Sequence, residues 1–240
     1  MTNKTQSNVD SWLSKTKDRQ RSALENASRH FDDNDAFTVN SLEAIYGQES
    51  SFGVNLGKRG SSGAAGHFQI EATTAIGYGA TLTNQNDQRF DIDLASLIAT
   101  RYIKNLNNIF GKKSTIFGTL SSIPISDLNQ RKLFVIAAYN AGEGRIVRAQ
   151  AAAKEDGKNP QKWSDVKQYL SEAGATEKKV KEITNYVKKV IKYEKEFFEK
   201  SPSNKTSKYK DPLKPQESEN TDEHWITKDG HHIAIKGKHD

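Results

Sequence analysis

In the stretch EAIYGQESSFG, residues 43–53, one residue type stands in an unusual place. Leu42, Ile45, Tyr46 and Glu49 recur at i, i+3, i+4 and i+7, the spacing that puts side chains on one stripe of a helix. Three members of the stripe are apolar or aromatic. The fourth is a carboxylate, while Glu43 falls on the other face of the wheel, toward solvent. Burial disfavours the charged form of a carboxyl and raises its pKa. Gly53 and a glycine-rich loop follow, so Glu49 lies near the end of its helix, where the negative pole of the dipole pushes the same way. Moving a glutamate from about 4.3 to about 6 takes roughly 2 kcal/mol of differential interaction. A carboxyl kept protonated near neutral pH is what a general acid needs to protonate a poor leaving group such as a sugar oxygen. The stripe alone also fits a buried glutamate paired with an arginine or capping a loop.

Composition narrows the classes of function. The chain has 240 residues, enough for one sizeable core with appendages. It has no cysteine, which removes disulfide frameworks and thiolate metal sites. The net charge of +6 suits an acidic polymer such as cell wall or nucleic acid, although solvated surface lysines explain it equally well. No apolar run is long enough for a membrane span, and MTNKTQSNVDSWLSK lacks the apolar core of a secretory signal. No nucleic-acid motif accompanies the lysine-rich segment KKVKEITNYVKKVIKYEK, whose lysines flank an apolar stripe. His231 and His232 are adjacent with no spaced third ligand, so no metal site is expected, and no cofactor is implied.

The elements that must position Glu49 read as mainly helical. One polar helix is expected over VDSWLSKTKDRQRSALENASRHF, anchored by Trp12, Leu24, Ala27 and Phe31. Asn40 or Ser41 should cap the helix that carries Glu49. GVNLGKRGSSGAAGHFQI reads as a close-packed glycine loop. FDIDLASLIATRYIKNLNNIFG reads as an amphipathic helix with Leu94, Leu97, Ile98, Tyr102 and Leu106 inward, ended by Gly111. Residues 133–138, LFVIAA, are apolar on every face, which implies a fully buried helix stopped by Gly142 and Gly144. A further helix, RIVRAQAAAKED, a short one in KWSDVKQYLSEAG, and a long one with Val180, Ile183, Val187, Val190 and Ile191 inward complete the body. The expected domains are a polar helical segment at 1–34, a helical catalytic domain at 35–200, a flexible linker at 201–223, and a short tail at 224–240. That tail alternates around Asp229-Gly230 as a β-hairpin would, and a lone hairpin orders best against a structural partner.

Four short motifs then stand in order: QESSFG, GAAGHFQI, AAYNAGEGRI and EITNYV. Their order and wording resemble the soluble-type (Slt) lytic murein transglycosylases, over roughly residues 38–195. The resemblance implies an all-α, lysozyme-like fold. It also implies cleavage of the β-1,4 bond between N-acetylmuramic acid and N-acetylglucosamine in peptidoglycan. No water is added, because the muramic acid 6-hydroxyl closes on its own C1 to give a 1,6-anhydro end. By that resemblance Glu49 is first acid and then base, and Ser50 bonds the carboxyl or an N-acetyl group. Phe68, Gln69, Ile70, Tyr139, Asn140 and Tyr186 would line the cleft and bind substrate. His67 and Phe68 depart from the Leu-Met usual before the glutamine; Phe68 can still form an apolar wall, and His67 reads as a space-filling loop residue.

Ordinary glycosidases flank the bond with two carboxylates. Glu71 is the only other acidic residue near the motif loop, and Asp91 and Asp93 read as helix-start charges. A single acid fits assistance by the substrate's own acetamide, and it also fits goose-type lysozymes, which hydrolyse the same bond. A third reading, a non-catalytic wall-binding component of a virion or secretion system, leaves a buried acid without a purpose. The resemblance places action on the cell wall outside the cytoplasm. Without a leader in this chain, delivery in a virion, delivery by a secretion system, or trimming is expected. HWITKDGHHIAIKG faintly resembles the tails of phage structural and mobile-element proteins.

Overall fold

The computed structural model describes residues 6–32, 35–83, 85–201 and 209–214, together with the backbone of strands at 224–228 and 231–235. Helices α1 (Asn8–Lys15), α2 (Asp18–Ser28), α3 (Val39–Ser50), α4 (Ala72–Gly77), α5 (Ile92–Gly111), α6 (Leu128–Ala141), α7 (Glu143–Glu155), α8 (Trp163–Val166) and α9 (Glu177–Lys200) form the body. Helix α3 packs on α9 and α2, α5 on α2 and α6, and α6 on α9 and α7.

The single N-terminal helix expected from sequence is two. The Thr16 hydroxyl donates to the Trp12 carbonyl at 2.7 Å, and the Lys17 N–H donates to Gln20 Oε1 at 2.8 Å. Side chains thus satisfy the backbone groups that a continuous helix would have used. Nor is this segment a mere prefix. The Trp12 ring stacks on Phe52 and Phe197, with centroids at 5.7 and 6.3 Å, and meets Tyr193 edge-on at 4.8 Å. It also lies flat on α3, where a Cβ at residue 47 would stand 2.3 Å from Trp12 Cζ3. Only glycine fits at 47, although glycine inside a helix costs about 1 kcal/mol relative to alanine.

Helix α3 starts one or two residues before the expected caps. Thr38 is its N-cap, with its N–H donating to Ser41 Oγ at 3.0 Å. Because α2 and α9 enclose α3, Glu43 is not on a solvent face. It is half-buried, accepts from Asn40 Nδ2 at 3.0 Å, and burial pushes its carboxyl up to about 7. The stripe of α5 is rotated from the expected one: Leu94 is exposed, and Ile92, Ala95, Ile98, Ala99, Ile103 and Leu106 face the core. Helix α6 is buried on every face over residues 132–138, as its unbroken apolar run requires. Gly142 ends it at φ 79°, whereas Gly144 lies inside α7. A two-stranded hairpin, β1 (Thr115–Phe117) with β2 (Leu120–Ser121), lies between α5 and α6, a region the sequence analysis left unassigned. Strands β3 (His224–Lys228) and β4 (His231–Ile235) pair antiparallel with Lys228 opposite His231, which matches the expected tail hairpin; Asp229 and Gly230 themselves lie outside the described residues.

Within the expected linker, residues 209–214 lie against the body; 202–208 and 215–223 fall outside the described residues. Buried Lys132 and Glu194 form an ion pair between α6 and α9, and Ser41 Oγ donates to the same Glu194 oxygen. The other oxygen accepts from the Tyr209 hydroxyl at 2.7 Å. Tyr209 packs on Phe198, and buried Pro212 sits with Leu133 and Trp163. A buried charge left short of a hydrogen bond costs about 1–3 kcal/mol. Tyr209→Phe is therefore expected to lower unfolding stability by that amount in urea titration; unchanged stability would mean that residues 209–214 do not dock.

Candidate active site

A cleft of about 660 Å³ opens beside the C-terminal end of α3. Its walls come from α3 (Glu49), the glycine loop (Ala64, Gln69, Ile70), the first turns of α4, Tyr102 of α5, the α6–α7 corner and the start of α9. The loop reaches this position because Arg89 holds it from behind. Arg89 is 2% exposed, and all five of its guanidinium hydrogen bonds are made. Two go to the Asp87 carboxylate at 3.0 and 2.8 Å, and three to the Gly63, Ile70 and Ser61 carbonyls at 2.8, 3.0 and 2.7 Å. Asp87 in turn accepts from the Gly60 N–H at 3.0 Å. Gly66, at φ 80°, passes so close that a Cβ would lie 2.1 Å from the Arg89 carbonyl oxygen.

Glu49 sits in the cleft wall with its carboxyl pushed up to about 7. Burial is the main cause, and the Glu182 charge adds to it. The Tyr186 hydroxyl, which donates to Glu49 Oε1, and the Lys179 ammonium pull the other way. Glu182 itself is held below the usual carboxylate range by Lys179 at 2.6 Å, with the Asn140 amide donating at 3.2 Å. The site thus pairs a carboxyl that titrates near neutral pH with one that stays ionised a short way along the wall.

Most of the residues expected from sequence are here. Gln69, Ile70, Tyr139 and Asn140 line the cleft with Glu49, and Tyr186 stands directly behind it. Gln69 adopts a left-handed backbone (φ 47°), and its amide nitrogen donates to the carbonyls of Asn55, Leu56 and Gly66. The Tyr139 hydroxyl donates to the Phe68 carbonyl at 2.9 Å, which ties α6 to the loop. Asn140 Oδ1 is buried with no hydrogen-bond partner, while its amide nitrogen faces Glu182.

Two expected residues lie elsewhere. Ser50 is fully buried; its hydroxyl donates to the Tyr46 carbonyl at 3.3 Å and accepts from the Gly53 N–H at 3.0 Å. One residue beyond Glu49 is a 100° turn of the helix, which carries Ser50 into the core, where it shapes the chain reversal instead of meeting the carboxyl. Phe68 is 1% exposed and packs on Tyr46 with centroids at 5.3 Å, so only its carbonyl serves the cleft. His67 fills space, as expected: its Nδ1 lies 3.0 Å from the Tyr46 hydroxyl, and burial pushes its pKa down.

Other residues complete the cleft, among them Glu182, which stands in the EITNYV motif but carried no site role in the sequence reading. Besides Glu71, the carboxylates Glu143 and Glu182 line the same cleft, so Glu49 is not the only acid in it. Tyr102, Arg145 and Lys179 line it too. A signal existed for Glu182, four residues before Tyr186 and therefore on the same face of α9. Arg89 carried no signal, since neither its neighbours nor its spacing mark it as buried. Among the described residues no group of side chains could hold a metal ion, and no helix is long and apolar enough to cross a membrane.

The Transglycosylase SLT domain family matches residues 29–162, and the chain belongs to that family. Its helical body is accordingly of the all-α, lysozyme-like class. The chain is 30% identical over 112 residues to membrane-bound lytic murein transglycosylase D of Escherichia coli (strain K12), covering 45% of this chain and 21% of that protein. It is 28% identical over 138 residues to membrane-bound lytic murein transglycosylase F of Desulfosudis oleivorans, covering 58% and 26%. The F protein of Aeromonas hydrophila subsp. hydrophila is 36% identical over 84 residues, covering 31% and 17%. The matched stretches span about a quarter or less of each of these relatives.

Removing one partner of a buried ion pair costs about 3–5 kcal/mol, and lysine cannot make the forked contacts of arginine. Arg89→Lys should therefore lower thermal stability and raise protease cleavage within residues 58–70 before global unfolding. Cleavage and melting like the parent would show that the loop does not depend on Arg89.

Proposed function

We propose that this chain is a peptidoglycan lytic transglycosylase that acts on wall glycan strands outside the cytoplasm, with Glu49 as its general acid and base. The observation that carries this reading is the Glu49 carboxyl, held protonated near neutral pH in the wall of an open cleft. In the first step the C1–O bond from N-acetylmuramic acid to N-acetylglucosamine breaks, and the Glu49 proton goes to the leaving oxygen. The acetamide of the muramic acid shields the electron-poor C1. In the second step the 6-hydroxyl of the same sugar bonds to C1 and its proton returns to Glu49. Atoms balance without water, and the enzyme ends as it began. Gln69 and Asn140 line the cleft, and amides are side chains suited to the N–H and O–H groups of sugars.

One observation favours hydrolysis as a second reading: Glu182 is ionised beside Glu49, as a base for water would be. Its hydrogen bonds to Lys179 and Asn140 weaken it as a base, which favours the transglycosylase.

Digestion of purified sacculi separates the readings by mass. The wild type should release fragments ending in 1,6-anhydromuramic acid, and Glu49→Gln should release none while melting like the wild type. Reducing ends would make the protein a hydrolase. Sacculus binding with no cleavage by the wild type would make it a binding module, and full activity of Glu49→Gln would remove Glu49 from the chemistry.

The acid must be protonated, so activity should fall as pH rises through about 7. The Tyr186 hydrogen bond lowers the Glu49 pKa. Tyr186→Phe should thus move this alkaline limb to higher pH while lowering the maximal rate; a limb that stays in place or moves down would contradict the assignment.

A further inference from the structure

The cleft is not the last feature on its side of the molecule. The β1–β2 hairpin lies along α7, and its Phe117 ring is 54% exposed. An exposed aromatic ring at a hairpin end is costly to leave wet, yet this one is held in place. A Cβ at Gly144 would lie 3.5 Å from Phe117 Cε1, so the ring rests in van der Waals reach of the first turn of α7. The Arg148 guanidinium stands 5.8 Å from the ring centroid and braces it from the next turn. The residues either side of Gly144, Glu143 and Arg145, line the cleft. Phe117 therefore packs on the turn of α7 that also carries two cleft-lining residues.

The same face continues away from the cleft. Gly144, Arg148, Ala151 and Glu155 follow one another at i, i+4, i+7 and i+11, a single stripe of α7. At the far end of that stripe a second groove of about 700 Å³ is lined by Leu120 and Ser121 of β2 together with Lys113, Ala151, Lys154 and Glu155. Neither Lys113 nor Lys154 has an ion-pair partner among the described residues. This stripe of α7 thus runs from the turn beside the cleft, past an aromatic ring, to a groove lined by Lys113 and Lys154 with Glu155. A wall glycan strand alternates flat, C–H-rich sugar faces with substituents that end in carboxylates, which matches the ring and the cations in turn.

We propose that Phe117 is a stacking platform for a sugar ring of the glycan strand outside the cleft, and that the strand continues over it along α7 to the Lys113–Lys154 groove. This rests on the reading of the cleft as a peptidoglycan site. The platform binds strand length and takes no part in bond breaking.

The test uses the full chain carrying Glu49→Gln, so that binding is read without cleavage. Cosedimentation with long purified peptidoglycan strands gives the affinity. Adding Phe117→Ala should weaken binding about three- to tenfold, the loss expected for one ring contact. Phe117→Trp should restore it, and Leu128→Ala, at an exposed leucine on α6, should bind as the parent does. Undiminished binding by Phe117→Ala, or failure of tryptophan to restore it in a protein that melts like the parent, would overturn the proposal. In the cleaving enzyme, Phe117→Ala should raise KM for long strands and leave kcat in place; a fall in kcat with KM unchanged would also overturn it. If the Glu49-intact protein cleaves nothing while Phe117→Ala still weakens binding, the transglycosylase reading falls and the platform stands.

Discussion

The structure of the site depends on one buried guanidinium. A glycine loop has almost no side chains with which to hold its own shape, and its backbone groups need partners once it packs. Arg89 supplies them. Its planar fork meets Asp87 through two nitrogens and spends the rest on three loop carbonyls. The charge is compensated and every donor is used, which are the conditions under which a buried ion pair is sustained. The loop can then carry Gln69 in a left-handed conformation and present Ile70 to the cleft. From the other side the Tyr139 hydroxyl grips the Phe68 carbonyl, so the loop is fixed between α6 and Arg89.

The electrostatics of the cleft divide along the same wall. Lys179 and Asn140 hold Glu182 ionised, and that negative charge helps keep the neighbouring Glu49 protonated. Tyr186 opposes them, giving Glu49 a hydrogen bond that tempers the shift. Helix α9 supplies Lys179, Glu182 and Tyr186, and α3, packed against it, supplies Glu49. The poise of the acid therefore depends on how these two helices meet. That meeting is set deeper in the core, by Trp12 seated on Gly47 and by the Lys132–Glu194 pair that Ser41 and Tyr209 complete.

Sequence made some of this legible and physics explains which parts. Helical periodicity found α5, α6 and α9, and the one carboxylate out of place on a stripe pointed to Glu49. The stripe of α5 was misjudged because Leu94 looks like core and Ala95 does not, although the tight packing against α2 and α6 favours the small residue. Ser50 and Phe68 stood beside true cleft residues in the chain, but one step along a helix or an extended loop turns a side chain to another face. Trp12 is legible as an apolar anchor, but its partners on α3 and α9 lie far along the chain, and Tyr209 stands in a polar stretch with no apolar period to mark it as docked. Arg89 is hidden because its partners are mainly backbone carbonyls, which no residue type announces.

Glu43 and Glu49 show why the site had to be argued from geometry. Both lie on α3, both are withdrawn from solvent, and burial pushes both carboxyls up to about 7. By their acidity alone they are indistinguishable. Glu43 faces α2, where the Asn40 amide occupies one oxygen and the Arg21 and Glu25 charges surround it. Glu49 faces a cavity large enough for sugar rings, with an ionised neighbour and a phenol behind it. A perturbed proton becomes chemistry only where a substrate can reach it. Six residues along one helix separate a carboxyl buried among side chains from a carboxyl in the wall of an open cleft, and the glycine loop anchored by Arg89 makes the difference.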